Sequence, residues 1–376
     1  MFIRIERNHL VEALGKALAV SGAKGSVWID AVSGEPDTLT LFALNDQNGM
    51  EYRTTLPGSV VKAGRAGLNA RTVHDLAKRL PTGELCITRK EEGGVSVTIG
   101  SSSYSLPCTD EAARPNLCEL PDDFTEISGD LFGEMLSRVD PYVSRDDAAM
   151  EGITCAKLGS SGDTFHVVAL DGHQLCRTEL ANEELAGLFA EDVLIHHANL
   201  TVLRRWMTAD DVQLSVTDKR LFASMSDESG VYEVLTVPRS LFAFPDVHSI
   251  IGKLDTADTR VEVAREAMDA TLTRMGLFSG NGVGLFFEDK GLRFRTSDDS
   301  GRGMEFLEAA VTGGIERVAM PIKVLRTALS RFDSAKVTLT VCTVPGPCGV
   351  TGEDDPGVLV IAMPLDIADD GWSQFE

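Results

Sequence analysis

The chain has 376 residues, enough for two or three domains at roughly 100–200 residues each. Its 43% hydrophobic content suits packed cores, but 35 Lys and Arg stand against 57 Asp and Glu, for a net charge of −22. That balance excludes a small basic nucleic-acid-binding module, because a uniformly acidic surface repels phosphate; a nucleic-acid role needs the basic residues gathered locally. The first residues, Met1 to Arg7, lack the apolar core of a signal peptide, and no apolar run approaches ~20 residues, so a cytoplasmic protein without membrane contact is expected. The seven cysteines form no Cys-x-x-Cys pair, which predicts reduced thiols rather than a disulfide scaffold or a zinc cluster.

In chain order, residues 5–14 read as a short strand entering a helix, with Leu10, Leu14 and Ala17 on one face and Asn8 as N-cap. Residues 66–80 read as a second such unit, with Val73, Leu76 and Leu80 as its stripe, followed by a strand over Glu84–Thr88. The first pattern returns at 127–136, with Phe132, Leu136 and Val139 and Asp130 as N-cap. The second returns at 193–207, with Leu200, Leu203 and Met207, followed by a strand over Val212–Val216. Both recur once more. Residues 263–272 carry Met268, Leu272 and then Met275, and residues 318–332 carry Leu325, Ala328 and Phe332 before a strand over Val337–Val341. Hairpins are predicted at Glu92-Gly93-Gly94, Ser161-Gly162-Asp163 and Asp289-Lys290-Gly291. A repeat of this length is a whole domain, not a solenoid unit. The expected fold class is α+β, with three similar domains over 1–122, 123–248 and 249–367, each with two helices packed on antiparallel sheets, and an acidic tail over 368–376.

The positive charge concentrates in the second helix of each repeat. Arg71, Lys78 and Arg79 outweigh Asp75 in the first; Arg204 and Arg205 stand alone in the second; Lys323, Arg326 and Arg331 stand alone in the third. If these helices share a face, an acidic body carries a basic lining that holds phosphates without reading bases.

The repeat length and count, together with Val168-Ala169-Leu170-Asp171-Gly172-His173-Gln174-Leu175, Phe244-Pro245-Asp246 and Met363-Pro364-Leu365, resemble the bacterial sliding clamps, the beta subunits of DNA polymerase III. The resemblance implies a head-to-tail homodimer ring. It would encircle double-stranded DNA without sequence preference and tether polymerase and clamp-loader subunits through linear motifs. It has no catalytic activity, cofactor or metal. The implied partner groove holds Met150, Leu170, Gly172, His173, Gln174, Leu175, Pro245, Ile250, Lys323, Arg326, Met363, Pro364 and Leu365. Gln174, Ser249 and Asp366 stand where the family has Arg, so its rim is less basic. The implied dimer seam holds Tyr104 on one side and Leu277, Phe278, Asp298 and Asp299 on the other, with Ser101 and Ser103 in place of basic residues. The implied DNA-contacting loops hold Lys24 and Arg145, the latter followed by Asp146 and Asp147. Trp372 and Phe375 lie beyond the family's usual ending, in a tail that is either disordered or able to reach the groove.

Two rival readings remain at this point. Asp171 with His173, or His196 with His197, could serve as a metal or acid/base pair in a hydrolase. A scaffold with the clamp's shape but no DNA is the other. Against the first, no hydrolase, P-loop or dinucleotide motif occurs, and His196-His197 occupies the strand-to-helix turn of its repeat.

Overall fold

A computed structural model describes every residue except 91, 92, 147, 149, 208–210, 227–230, 258, 279–281, 344, 368–370, 373, 374 and 376. Glu92, Asp147 and most of the acidic tail therefore lie outside the described residues. Among those described, the helices are α1 (Arg7–Ser21), α2 (Ala70–Arg79), α3 (Gly129–Val139), α4 (Glu183–Leu188), α5 (His197–Trp206), α6 (His248–Asp255), α7 (Arg265–Met275) and α8 (Ile322–Leu329). Strands make up most of the remainder.

Seven helices follow a strand with at most one residue between: α4 after Gln174–Ala181 and the six that open or close the repeated units. Phe2–Glu6 enters α1, Gly64–Asn69 enters α2, Thr125–Ser128 enters α3, Val193–His196 enters α5, Thr259–Ala264 enters α7 and Arg317–Met320 precedes α8. The predicted stripes are the buried faces. Leu10, Leu14, Ala17, Phe132, Leu136, Val139, Met268, Leu272 and Met275 are all buried. So are Val73, Leu80, Leu200, Leu203, Met207, Leu325, Ala328 and Phe332. Each large member contributes about 2 kcal/mol of transfer free energy. Leu76 differs: it is half-buried, because Ala77 takes the inward position on α2.

The caps differ from expectation. α1 begins at Arg7 after Glu6, which makes no side-chain cap, so Asn8 lies inside the first turn. α3 begins at Gly129, which places Asp130 inside it, and Ser128 Oγ accepts the Leu131 N–H. The side-chain cap on α2 is Asn69, which accepts from Thr72 N at 2.9 Å.

By its internal contacts the chain divides into two compact units, residues 1–134 with 198–240 and residues 135–197 with 241–376. The first unit contains a five-stranded sheet and an eight-stranded sheet. In the larger, Glu51–Thr55 pairs antiparallel with Tyr232–Pro238. There the buried Glu233 carboxylate accepts from Tyr52 Oη at 3.0 Å and from Lys16 Nζ at 2.6 Å. The second unit contains a nine-stranded sheet and a four-stranded sheet. In the nine-stranded sheet, Gln174–Ala181 pairs antiparallel with Val358–Ala362. All seven cysteines are free thiols. No helix among the described residues is long and apolar enough to cross a membrane.

Candidate functional site

The pairing of Gln174–Ala181 with Val358–Ala362 sets Leu175 opposite Ile361. Both are buried in one apolar cluster with Ile153, Val168, Leu170, Val247, Leu254 and Cys342. Phe244, Ile250, Ile251, Ala257 and Leu359 pack against it and stay partly exposed. Val247, Ile250, Ile251 and Leu254 recur at helical spacing, so α6 lays one face on the cluster. The result is an apolar floor built from segments remote in sequence.

A tight turn borders this floor. Asp171 Oδ1 accepts the N–H groups of His173 at 2.9 Å and Gln174 at 2.8 Å, and Oδ2 accepts Gln174 Nε2 at 3.2 Å. Gly172 takes φ +93°, a conformation that disfavours any Cβ. The turn leaves His173 exposed, and its carbonyl accepts the Met363 N–H at 2.9 Å. Met363 and Met150 are both exposed, at 37% and 58%. Gly152 is required beside them, since a Cβ there would lie 2.1 Å from the Ala243 carbonyl oxygen. Leu170, Gly172, His173, Gln174, Leu175, Ile250 and Met363 are thus joined to this floor or its bordering turn, while Met150 opens the short 3-10 turn that carries the floor residue Ile153. Pro245 sits between Phe244 and Val247 of the floor. Leu365 continues the edge, with its N–H donating to the Ala319 carbonyl at 2.8 Å.

Lys323 and Arg326 belong to α8. Arg326 Nε donates to Asp269 of α7 at 2.8 Å, and both basic residues line a cleft of about 660 Å³ between α7 and α8 with Arg265. On α2, Arg71, Lys78 and Arg79 are exposed while Ala70, Val73 and Ala77 are buried. Arg205 is exposed and Arg204 half-buried on α5; Lys24 is exposed on the turn after α1. Arg145 is exposed but paired with Asp140 at 2.6 Å. Arg331 is half-buried and donates to the Ser137 carbonyl at 3.1 Å, near the end of α3. Its charge serves that helix terminus, where cations are favourable. Tyr104 is exposed on Ser102–Leu106, an edge strand of the five-stranded sheet. Leu277, Asp298 and Asp299 are exposed and Phe278 half-buried, beside the edge strand Gly301–Glu308 of the four-stranded sheet.

The Asp171 carboxylate accepts the turn N–H groups, and no described contact joins it to the His173 ring. His196 and His197 lie at the strand-to-helix junction with their rings 4.1 Å apart. Burial pushes the Cys176 thiol up to about 12, which keeps it a neutral core residue.

No protein-family model matches the chain. The beta sliding clamp of Streptomyces coelicolor is 22% identical over 385 aligned positions, covering 97% of this chain and 99% of that protein. The beta sliding clamp of Micrococcus luteus is 26% identical over 225 positions, 57% of this chain and 69% of the relative. The DNA polymerase III subunit beta of Pseudomonas aeruginosa superposes with a TM-score of 0.86 at 19% identity, over 98% of this chain and 100% of that one. The fold is that of the DNA polymerase III beta subunit. The beta subunit of Thermotoga maritima gives a TM-score of 0.85 at 17% identity with the same coverage.

Within this clamp fold, sequence reasoning missed several residues. Ile153, Phe244, Val247, Ile251, Leu254 and Ile361 complete the apolar floor. The Val247/Ile250/Leu254 spacing was a usable signal; the strand pairing that delivers Ile361 left none. Met304 and Phe306, exposed at 63% and 43% on Gly301–Glu308, were legible as alternate positions of a strand.

Proposed function

We propose that this chain is a DNA sliding clamp, a non-catalytic cytoplasmic subunit that encircles duplex DNA as a head-to-tail homodimer and holds polymerase and clamp-loader subunits by their linear motifs. The observation that carries the reading is agreement over the whole chain: 98% of it superposes on a complete beta subunit. On this reading the thirds 1–122, 123–248 and 249–367 are three repeats of one domain. The exposed Arg71, Lys78, Arg79 and Arg205, with Lys323 of the α7–α8 cleft, supply phosphate contacts that ignore sequence. Lys24 and Arg145 add contacts from loops.

Two edge strands support ring closure. Ser102–Leu106 and Gly301–Glu308 each leave one side of a sheet unpaired, and an exposed edge is a template for pairing with another chain. The first belongs to one compact unit and the second to the other. Two copies meeting through unlike edges make a heterologous contact, which closes into a ring when its rotation permits. Tyr104, Leu277, Phe278, Met304 and Phe306 give that contact its apolar part.

The apolar floor around Leu170, Leu175, Ile250 and Ile361 suits a peptide with apolar anchors. Asp171, Asp246 and Asp366 around it, with Gln174 in place of a cation, favour peptides without acidic flanks. The test of the whole reading is topological. Loaded on a nicked circular plasmid with a clamp loader, the protein is expected to remain through gel filtration and to leave when the plasmid is linearised. A chain that binds partner peptides but never stays on the circle would be a clamp-shaped scaffold instead.

A further inference from the structure

Trp372 and Phe375, near the end of the chain, do not belong to the apolar floor. Trp372 and Phe375 are 8% and 5% exposed and cluster with Ala319, Phe286, Leu365 and Ile367. Trp372 meets the Phe286 ring edge-on at 5.7 Å and the Phe375 ring at 5.6 Å. The Arg317 guanidinium lies 4.3 Å over the Trp372 ring, within cation–π range. The face they occupy follows from strand alternation. Leu285 and Val318 are buried toward α8 in one apolar pocket, so Gly284, Phe286, Arg317 and Ala319 point to the opposite side of the four-stranded sheet. Gly284 carries no side chain there, and Phe375 packs over it.

This docking bears on the groove edge through Leu365. Ile361 belongs to the apolar floor, Met363 is held by the His173 carbonyl, and Leu365 is held by the Ala319 carbonyl while its side chain packs in the aromatic cluster. The edge is therefore anchored at one end by the floor and at the other by the tail. None of the tail aromatics belongs to the floor cluster. Trp372 and Phe375 therefore pack beside the floor's edge rather than in it.

We propose that two aromatic residues act as a strap: Trp372 and Phe375 dock on the sheet face formed by Phe286, Arg317 and Ala319, and so pre-organise the Met363–Pro364–Leu365 edge for partner peptides. The effect on peptides rests on the groove reading given above; the docking does not. A pre-organised edge spares a bound peptide the cost of ordering it. Removing the strap should therefore weaken peptide binding, whereas removing a competitor would strengthen it.

The test compares four full-length or shortened proteins: the wild type, a chain ending at residue 367, Trp372→Ala with Phe375→Ala, and Trp372→Phe. Hydrogen exchange is followed at the Leu365 amide, and affinity is measured by polarisation with a short fluorescein-labelled peptide ending in Leu-Phe. In the truncated and double-Ala proteins, Leu365 exchange is expected to rise by about tenfold or more. Peptide affinity should fall by about threefold or more. Trp372→Phe should retain both, because the ring contacts persist. Unchanged Leu365 exchange would overturn the docking. Raised exchange with unchanged or tighter peptide binding would overturn the strap's action on the groove. A wild-type protein that binds no peptide would overturn the groove reading, and exchange at Leu365 would still decide the docking.

Discussion

Asp355 illustrates how one side chain ties elements together inside the second unit. Its Oδ1 accepts from Arg138 Nη1 at 2.7 Å, and its Oδ2 accepts from Ser334 Oγ at 2.6 Å and from the N–H groups of Asp333 and Ser334 at 2.9 Å. Burial alone would raise this carboxyl, but the Ser334 hydroxyl and amide and the Arg138 guanidinium outweigh it and hold the group at about 2. A carboxyl depressed in the folded state adds stability above its unfolded value near 4, and that stability is lost as pH falls toward 2. The contribution at neutral pH is about 2 kcal/mol. Asp355→Asn is expected to lower the unfolding free energy by about that amount at pH 7 and to flatten the loss between about pH 4 and 2, as read by urea titration. Gly152 acts by what it lacks. Gly152→Ala would drive a Cβ into the Ala243 carbonyl and displace the Phe244–Val247 side of the floor. Peptide affinity is expected to fall at least about tenfold, or about 1.4 kcal/mol. An unchanged dissociation constant would mean that this side of the floor is not used.

Helices explain both why the repeats exist and where their charge goes. α2 buries Ala70, Val73 and Ala77 and turns Arg71, Lys78 and Arg79 outward. Lys78 and Arg79 also fall in its last turn, where cations favour the helix itself. The proposed DNA contact and local helix stability thus draw on the same residues, and salt separates them. Replacing Arg71, Lys78 and Arg79 together by Ala should reduce the slope of log affinity against log salt for duplex DNA by up to about 3, while the loss in cooperative unfolding free energy stays within about 1 kcal/mol. A salt slope equal to that of the wild type would remove α2 from the DNA-facing set. Arg7 and Arg265 hold parallel positions, each the first residue of its helix. Arg7 donates to the Ala77 carbonyl of α2, and Arg265 donates to the Ser334 carbonyl beyond α8. These cations are spent on backbone carbonyls, as Arg331 is on the Ser137 carbonyl near the end of α3. A charge count along the sequence cannot separate them from cations left to solvent, because both kinds sit at similar helical positions.

At the scale of the molecule, ring closure is the property on which the proposed function depends. Gly301–Glu308 alternates outward Arg302, Met304, Phe306 and Glu308 with inward, partly buried positions. Met304→Glu with Phe306→Glu is expected to convert a dimer to monomers in sedimentation velocity at micromolar concentration, with far-UV circular dichroism unchanged. A variant that stays dimeric would exclude this edge from the seam. The sequence by itself determined the repeated strand–helix units, the apolar stripes of six helices and the strands after α2, α5 and α8, because each depends on side chains a few residues apart on one periodic surface. It also carried the family-level resemblance through Asp171-Gly172-His173 and Met363-Pro364-Leu365. Only the tertiary structure decided that Leu175 lies opposite Ile361, that Arg326 pairs with Asp269 of α7, that Asp171 closes a turn, and that Trp372 and Phe375 cluster with Ala319. Those facts rest on pairings between residues far apart in the chain, and hydrophobic periodicity fixes which face of an element is buried without naming what covers it.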